Sequence, residues 1–249
     1  MHIFIPGDDA RMQLLKEEAL ARGHMLTDAA HCNAGVLPLP DSASAVDAAL
    51  PADGHGKLLL HGRLSKDQAE ILHSRGWTLK NIQEDDAYIQ KNALITAEGA
   101  IFAAMQQVDF TLRDAPCAVV GYGRIARELT RLLLALGAQV QVAARRESAR
   151  LQAALAGAQV CNTERMPEAF HGIRILFNTV PSQIITEQVL SALSPGALVI
   201  ELASPPYGLD MDLARSMGLR VLLESGIPGR YAPRTAAKLL MNYIEAGGD

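Results

Sequence analysis

Three observations predict an α/β protein with two parallel-sheet domains. The second is wound in the Rossmann manner, and a C-terminal helix packs back on the first. Short aliphatic and β-branched runs alternate with amphipathic stretches along all 249 residues, the pattern of parallel sheets covered on both faces. Gly23, Gly76 and Gly137 each follow the last periodic residue of such a stretch, where a helix stops. The segment Cys117-Ala118-Val119-Val120-Gly121-Tyr122-Gly123-Arg124-Ile125-Ala126 reads as a buried strand, a glycine-rich turn and the start of a helix.

The expected organisation is a flavodoxin-like α/β domain over residues 1–92, a linking helix over 93–114, a Rossmann domain over 115–228 and a C-terminal helix within 229–249. In the first domain, His2 to Pro6 is the opening strand, followed by a helix from Asp9 to Arg22. Val36 to Leu39, Lys57 to His61 and Trp77 to Lys80 are further strands, with Pro51 to Gly56 a surface turn. Ser65 is placed to cap a helix that runs to Arg75. A helix from Thr96 to Gln107, small on one face, joins the halves. Cys117–Val120, Gln139–Ala143, Gln159–Val160, Ile175–Asn178, Ala197–Glu201 and Arg220–Leu223 then supply six parallel strands, and Tyr231 to Ala246 the last helix.

Composition excludes several classes of function. A content of 49% hydrophobic and 20% charged residues is that of a globular chain with a sizeable core. The net charge of −4, without a dense basic cluster, speaks against a nucleic-acid face. No apolar run reaches the roughly 18 residues of a membrane span. Residues 1–8 lack the basic and apolar regions of a signal peptide. Cys32, Cys117 and Cys161 are odd in number and widely spaced, as reduced thiols of a cytoplasmic protein are. The seven histidines show no metal-ligand spacing, so no metal is expected.

The glycine turn has the layout of a dinucleotide pyrophosphate site. Gly121 permits the tight turn, Gly123 lets backbone N–H groups approach phosphate, and Ala126 is small enough for close helix–strand packing. Tyr122, Arg124 and Ile125 complete the cofactor-binding turn. The new helix contributes free N–H groups and a partial positive charge. An NAD site places an acid about 20 residues past the glycines, whereas an NADP site places arginine there. Here Ala143-Ala144-Arg145-Arg146 precedes the first acid, Glu147. Two guanidiniums suit a 2′-phosphate, so NADP is the expected cofactor, with NAD possible. Solvated residues at a helix start are the alternative reading.

Ligands of open parallel sheets bind beyond the carboxyl ends of the strands. Asn178, Thr179, Val180 and Pro181 follow the fourth strand of the second domain, where an amide and a hydroxyl meet the nicotinamide ribose. Ala203 belongs to the proline-rich loop after the fifth strand. Gly229, Ala232 and Arg234 follow the sixth. Ordinary turns of Gly, Pro, Asn and Ser are the competing reading for all three. Glu98 is read either as a first-turn acid favoured by the helix dipole or as a catalytic residue beside Thr96. His61 is a possible acid/base, more simply a structural histidine. Arg11 and Lys91 are possible carboxylate anchors.

The segments Asn92 to Gly99 (NALITAEG), Val119 to Arg145, Asn178 to Ser182 (NTVPS), Leu202 to Pro206 (LASPP) and Gly226 to Ala236 (GIPGRYAPRTA) resemble the dipicolinate synthase A-subunit family. Gly7 to Arg11 (GDDAR) is similar to that family's GGDAR. The resemblance implies a cytoplasmic NAD(P)-dependent oxidoreductase that forms dipicolinate, a pyridine dicarboxylate of bacterial endospores, from a dihydro or hydroxytetrahydro precursor. It implies a small cyclic dicarboxylate substrate and, as partner, a flavoprotein-like B subunit; a homo-oligomer is expected. Asn92, Gly229, Ala232, Arg234 and Arg11 would contact substrate, with Thr96 and Glu98 catalytic. The chain departs from the pattern in a shorter first half, in Asp8, in Ala126 as third residue of the glycine motif and in Pro205-Pro206-Tyr207. A related two-domain amino- or hydroxy-acid dehydrogenase and a non-catalytic cofactor-binding scaffold are the rival readings.

Overall fold

A computed structural model describes residues 1–39, 42–43, 50–51 and 53–247. The chain divides into two compact units, Met1–Ile95 with Pro228–Asp249, and Thr96–Ile227.

The first unit is a five-stranded sheet of β1 (His2–Phe4), β2 (Met25–Leu26), β3 (Ala34–Val36), β4 (Leu58–His61) and β5 (Thr78–Asn81). All pairings are parallel, in the order β2-β1-β3-β4-β5. The order reverses between β1 and β3, the switch point of a flavodoxin-like sheet. Successive side chains of a strand point to opposite faces. Leu60 therefore packs with Ile3, Met12, Leu15, Val36 and Tyr88, while its neighbour Leu59 packs with Cys32, Leu37, Leu72 and Trp77.

Caps set the helix boundaries here. The Asp9 carboxylate accepts from the N–H groups of Arg11 and Met12 at 2.9 and 3.0 Å and opens α1 (Ala10–Ala21). Gly23, at φ +79°, closes it. Ser65 and Gln68 form a capping box at the start of α2 (Lys66–Ser74). The last helix, α10 (Pro233–Glu245), joins the first unit as expected: Leu240, Met241 and Ile244 pack among the residues of α1 and β1.

Three local expectations are corrected. The linking helix, α3, runs from Asp86 to Gln107 and so begins ten residues before Thr96. Its entry is marked by the Asp85 side chain accepting from the Tyr88 N–H at 2.6 Å, and nothing between Asp85 and Thr96 interrupts the helix. Glu98 is thus a mid-helix residue, and the first-turn reading of its charge falls. Strand β3 lies at Ala34–Val36 rather than Val36 to Leu39. Its small residues hide it, and at Gly35 a Cβ would lie 2.9 Å from Leu59 Cδ1. Strand β2 escaped notice because it is two exposed residues long. Ala52, within the predicted Pro51–Gly56 turn, lies outside the described residues.

The second unit is a six-stranded parallel sheet of β6 (Pro116–Val120), β7 (Gln139–Ala143), β8 (Gln159–Cys161), β9 (Ile175–Asn178), β10 (Leu198–Glu201) and β11 (Arg220–Leu223). Its order, β11-β10-β9-β6-β7-β8, is that of a complete Rossmann sheet, with its switch point between β6 and β9. Val120, Leu176 and Val199 of three neighbouring strands meet Phe170, Val189 and Leu190 in one core. The intervening helices are α4 (Arg124–Ala135), α5 (Glu147–Leu155), α6 (Met166–Ala169), α7 (Glu187–Ala192) and α8 (Met211–Ser216). The expected loop after β11 instead holds one short helix, α9 (Ile227–Tyr231). Among the described residues no helix is long and apolar enough to cross a membrane.

Candidate functional site

The switch point of the second sheet carries the glycine turn. Gly121 continues β6 by donating its N–H to the Ala143 carbonyl at 2.8 Å and then turns with φ +97°. A Cβ on it would stand 2.5 Å from Thr179 Oγ1 and 2.8 Å from Val180 Cγ2, so the turn is pressed against the loop after β9. Thr179 Oγ1 donates back to the Val120 carbonyl at 2.8 Å and fixes that approach. Gly123 is the N-cap of α4, in extended conformation and with no side-chain cap, and no atom lies within 4 Å of where its Cβ would be. The N–H groups at this helix start, with the helix dipole behind them, suit an anion. Ala126 is fully buried and seats α4 on the sheet, whereas Arg124 is exposed and Ile125 half-buried.

A cavity of about 410 Å³ opens over this turn. Gly121, Tyr122, Gly123, Arg145, Arg146, Val180 and Pro181, all expected to bind cofactor, line it. Thr163, Ser182 and Ile184 line it as well and were not anticipated. Reading the loop after β8 as a strand end would have found Thr163. Tyr122 is buried, which pushes its phenol pKa up, and the Arg127 guanidinium lies 5.7 Å from its ring centre.

Arg145 and Arg146 are exposed at the end of β7, and neither forms an ion pair among the described residues. A third arginine fixes their backbone: one terminal nitrogen of Arg150 donates to the carbonyls of Ala144 and Arg145 at 2.8 and 2.6 Å. The bare glycine cradle, the uncapped helix start and the two cations together fit a dinucleotide. The pyrophosphate would be held by the turn, and the cations would face the adenosine ribose.

The loops after β9 and β10 are tied together by a buried carboxylate. Both oxygens of Glu201 accept from the Asn178 amide nitrogen, at 2.8 and 2.9 Å. The N–H groups of Ala203 and Gly208 donate to them at 2.8 Å each. Burial pushes the Glu201 pKa up, against the pull of these donors. Asn178 spends its remaining capacity on Val180, through both the peptide N–H and the carbonyl. The Asn178 amide and the Thr179 hydroxyl, expected to face a nicotinamide ribose, are therefore engaged within the protein, as is the Ala203 N–H. An acid ending the apolar run Leu198-Val199-Ile200 was the available signal for Glu201.

Within the first unit, Arg11 and Gly229 come together across the chain. A Cβ on Gly229 would lie 3.7 Å from Arg11 Cβ and 3.8 Å from its guanidinium carbon. Arg234 is exposed, with Glu17 at 4.0 Å, and Ala232 is the N-cap of α10 without a side-chain cap. Asn92 is half-buried on α3 and Lys91 exposed. In the second unit Thr96 is buried and Glu98 exposed. The His61 Nδ1–H donates to the Gly62 carbonyl at 2.7 Å, and burial lowers its pKa. No group of three or more His, Cys, Asp or Glu side chains among the described residues could hold a metal ion.

Comparison with known proteins agrees with this geometry. Residues 78–207 match the family model described as "D-isomer specific 2-hydroxyacid dehydrogenase, NAD binding domain". The dipicolinate synthase A subunit of Bacillus subtilis is 37% identical over 166 residues, which are 67% of this chain and 56% of that relative's length. The crystal structure of the dipicolinate synthase A subunit from Bacillus halodurans superposes with a TM-score of 0.87 at 25% identity, covering 98% of this chain and 96% of the other. That of its Bacillus subtilis counterpart gives 0.83 at 26% identity, covering 99% and 95%. The glycine turn is thus part of a nicotinamide-dinucleotide-binding domain of the dehydrogenase type. The chain carries the D-isomer specific 2-hydroxyacid dehydrogenase NAD-binding domain and belongs to the dipicolinate synthase A-subunit family.

Proposed function

We propose that the protein is an NADP-dependent oxidoreductase that converts dihydrodipicolinate, or its hydroxytetrahydro precursor, to dipicolinate, working with a flavoprotein-like B subunit. The observation that carries the oxidoreductase reading is the glycine cradle with its two facing cations. The substrate reading is supported by the motifs shared with the dipicolinate synthase A-subunit family. When bound, the nicotinamide supplies the hydride-accepting chemistry. The chain's own residues bind and orient. The N–H groups at the start of α4 hold pyrophosphate, Arg145 and Arg146 hold the 2′-phosphate, and Val180 and Pro181 wall the cavity. Thr96 and Glu98 are assigned the catalytic role. Asn92, Ala232 and Arg234 are assigned to substrate together with Arg11 and Gly229.

The direct test supplies dihydrodipicolinate and NADP⁺, with and without a B subunit, and follows reduced nicotinamide by absorbance. Turnover is expected. Tight cofactor binding without turnover in either case would leave a cofactor-binding scaffold as the better reading. The 2-hydroxyacid dehydrogenase match favours one rival, a two-domain dehydrogenase of hydroxy or amino acids, which a panel of such acids would reveal.

Cofactor choice is tested separately. Arg145→Ala removes charge-assisted hydrogen bonds to a 2′-phosphate, each worth about 1.5–3 kcal/mol. The Kd for NADP should rise by about 10- to 100-fold while that for NAD stays within about twofold. Equal losses for the two dinucleotides would refute the phosphate assignment.

A further inference from the structure

We propose that the first unit contains its own carboxylate-binding subsite, built on the buried guanidinium of Arg11 and the bare backbone of Gly229. It rests on the dicarboxylate reading above for the identity of its natural ligand, and on geometry alone for its existence.

Arg11 is only 7% exposed. One terminal nitrogen of its guanidinium donates to the Leu39 carbonyl, so the side chain reaches from the first turn of α1 to the loop that follows β3. Its Nε is buried and has no hydrogen-bond partner, and no carboxylate pairs with the guanidinium among the described residues. A buried cation without an anion is strongly unfavourable, and apolar residues of similar volume would fill the same space at lower cost. The arginine is therefore best accounted for by an anion that arrives from outside.

Its place in the fold points the same way. The sheet order reverses between β1 and β3, and the crevice beyond the carboxyl ends of strands at such a point is where open α/β sheets take ligands. Arg11 sits over that reversal.

Gly229 supplies the access. It lies in the short helix α9, and its φ is outside the left-handed region, so the backbone does not require glycine. The three atoms nearest to where its Cβ would stand, chain neighbours and helix backbone aside, all belong to Arg11: its Cβ at 3.7 Å, and its guanidinium carbon and Nε at 3.8 Å each. Any other side chain would lie on the guanidinium. Glycine in a helix is disfavoured against alanine, which makes an uncovered cation the economical explanation for it.

Tyr88 adds to the setting. Burial pushes its phenol pKa up while the Arg11 charge pulls it down, so the phenol stays neutral near the cation. A single buried, rigid guanidinium suits a planar carboxylate.

The test is calorimetric titration of the full chain, without dinucleotide, using pyridine-2,6-dicarboxylate as probe. Saturable binding is expected. Arg11→Met should weaken it about 100-fold while leaving the melting temperature unchanged or higher, because a buried unpaired charge has been removed. Gly229→Ala, which covers the guanidinium without altering the backbone, should weaken it about 10-fold. Pyridine-2,6-dicarboxamide should not compete. Unchanged binding in both variants, absence of binding in the wild type, or equal competition by the diamide or by inorganic phosphate would each overturn the proposal. If Arg11→Met does not fold, the Gly229→Ala titration decides. Arg11-dependent binding of the probe without turnover of dihydrodipicolinate would keep the subsite and reject the synthase reading. Turnover with Arg11-independent binding would do the reverse.

Discussion

Gly121→Ala is expected to abolish dinucleotide binding at working concentrations and to destabilise the second unit. Two costs add at this position. An L-residue at φ +97° is forced into a backbone region that only glycine occupies freely, at about 1–2 kcal/mol. The new methyl would also lie 2.5 Å from Thr179 Oγ1 and 2.8 Å from Val180 Cγ2, an overpacking worth about 1–3 kcal/mol. Relieving it means pushing the β9 loop away from Val120, to which Thr179 is bonded, and so deforming the cavity wall. The Kd for NADP should rise by about 100-fold, with a lower melting temperature. Gly123→Ala separates the two effects. Nothing stands within 4 Å of its Cβ, so the melt should hardly move, while the methyl occupies the space phosphate needs. Gly121→Ala binding NADP within about threefold of wild type would remove the glycine turn from the cofactor site.

Glu201→Gln is the second large effect. All four contacts to the buried carboxylate come from donors: the Asn178 amide nitrogen twice, and the N–H groups of Ala203 and Gly208. Glutamine would turn its own NH₂ toward at least one of them, losing a hydrogen bond to a charged group and burying a donor against a donor. Such losses run at about 1.5–3 kcal/mol each, so a destabilisation of about 2–5 kcal/mol is expected in urea unfolding. The pH dependence gives an independent check. Burial raises the folded-state pKa of Glu201 above the ordinary 4.5, so between these values the folded protein binds more protons than the unfolded chain. Its contribution is fully present below the ordinary pKa and is lost as pH rises through the folded value. The difference in stability between wild type and Glu201→Gln should therefore change across that window, above 4.5. A difference that is small and flat across it would show that the carboxylate does not organise these loops.

The legible parts of the molecule were those where one local rule decides. Gly23, Gly76 and Gly137 marked helix ends because each adopts positive φ. Ser65 marked a helix start because its capping box is written in four adjacent residues. The central strands of the second unit, β6, β9 and β10, were readable because, buried on both faces, they are nearly continuous apolar runs. Reading failed where tertiary packing sets the local choice. Gly35 sits in a strand where a Cβ would lie 2.9 Å from Leu59 Cδ1. The early turns of α3 went unseen because its start is marked by a single aspartate, and Thr96 offers a competing capping signal. Around the glycine turn, residue types pointed to loops without saying which of their atoms were already engaged. Asn178 and Thr179 carry the polar groups a ribose would use, yet the partners that consume them, Glu201 and Val120, are 23 and 59 residues away.

The chain does not acquire its structure in the order of its sequence. The sheet of the first unit is complete by Asn81, but one of its faces is closed by Leu240, Met241 and Ile244 of α10. During synthesis those side chains emerge only after all of residues 96–227. The second unit, continuous in sequence, can condense while the first still exposes Met12, Leu15 and Val36. A nascent chain of this protein thus carries a half-finished first sheet until α10 emerges. That interval is when it most needs protection from aggregation.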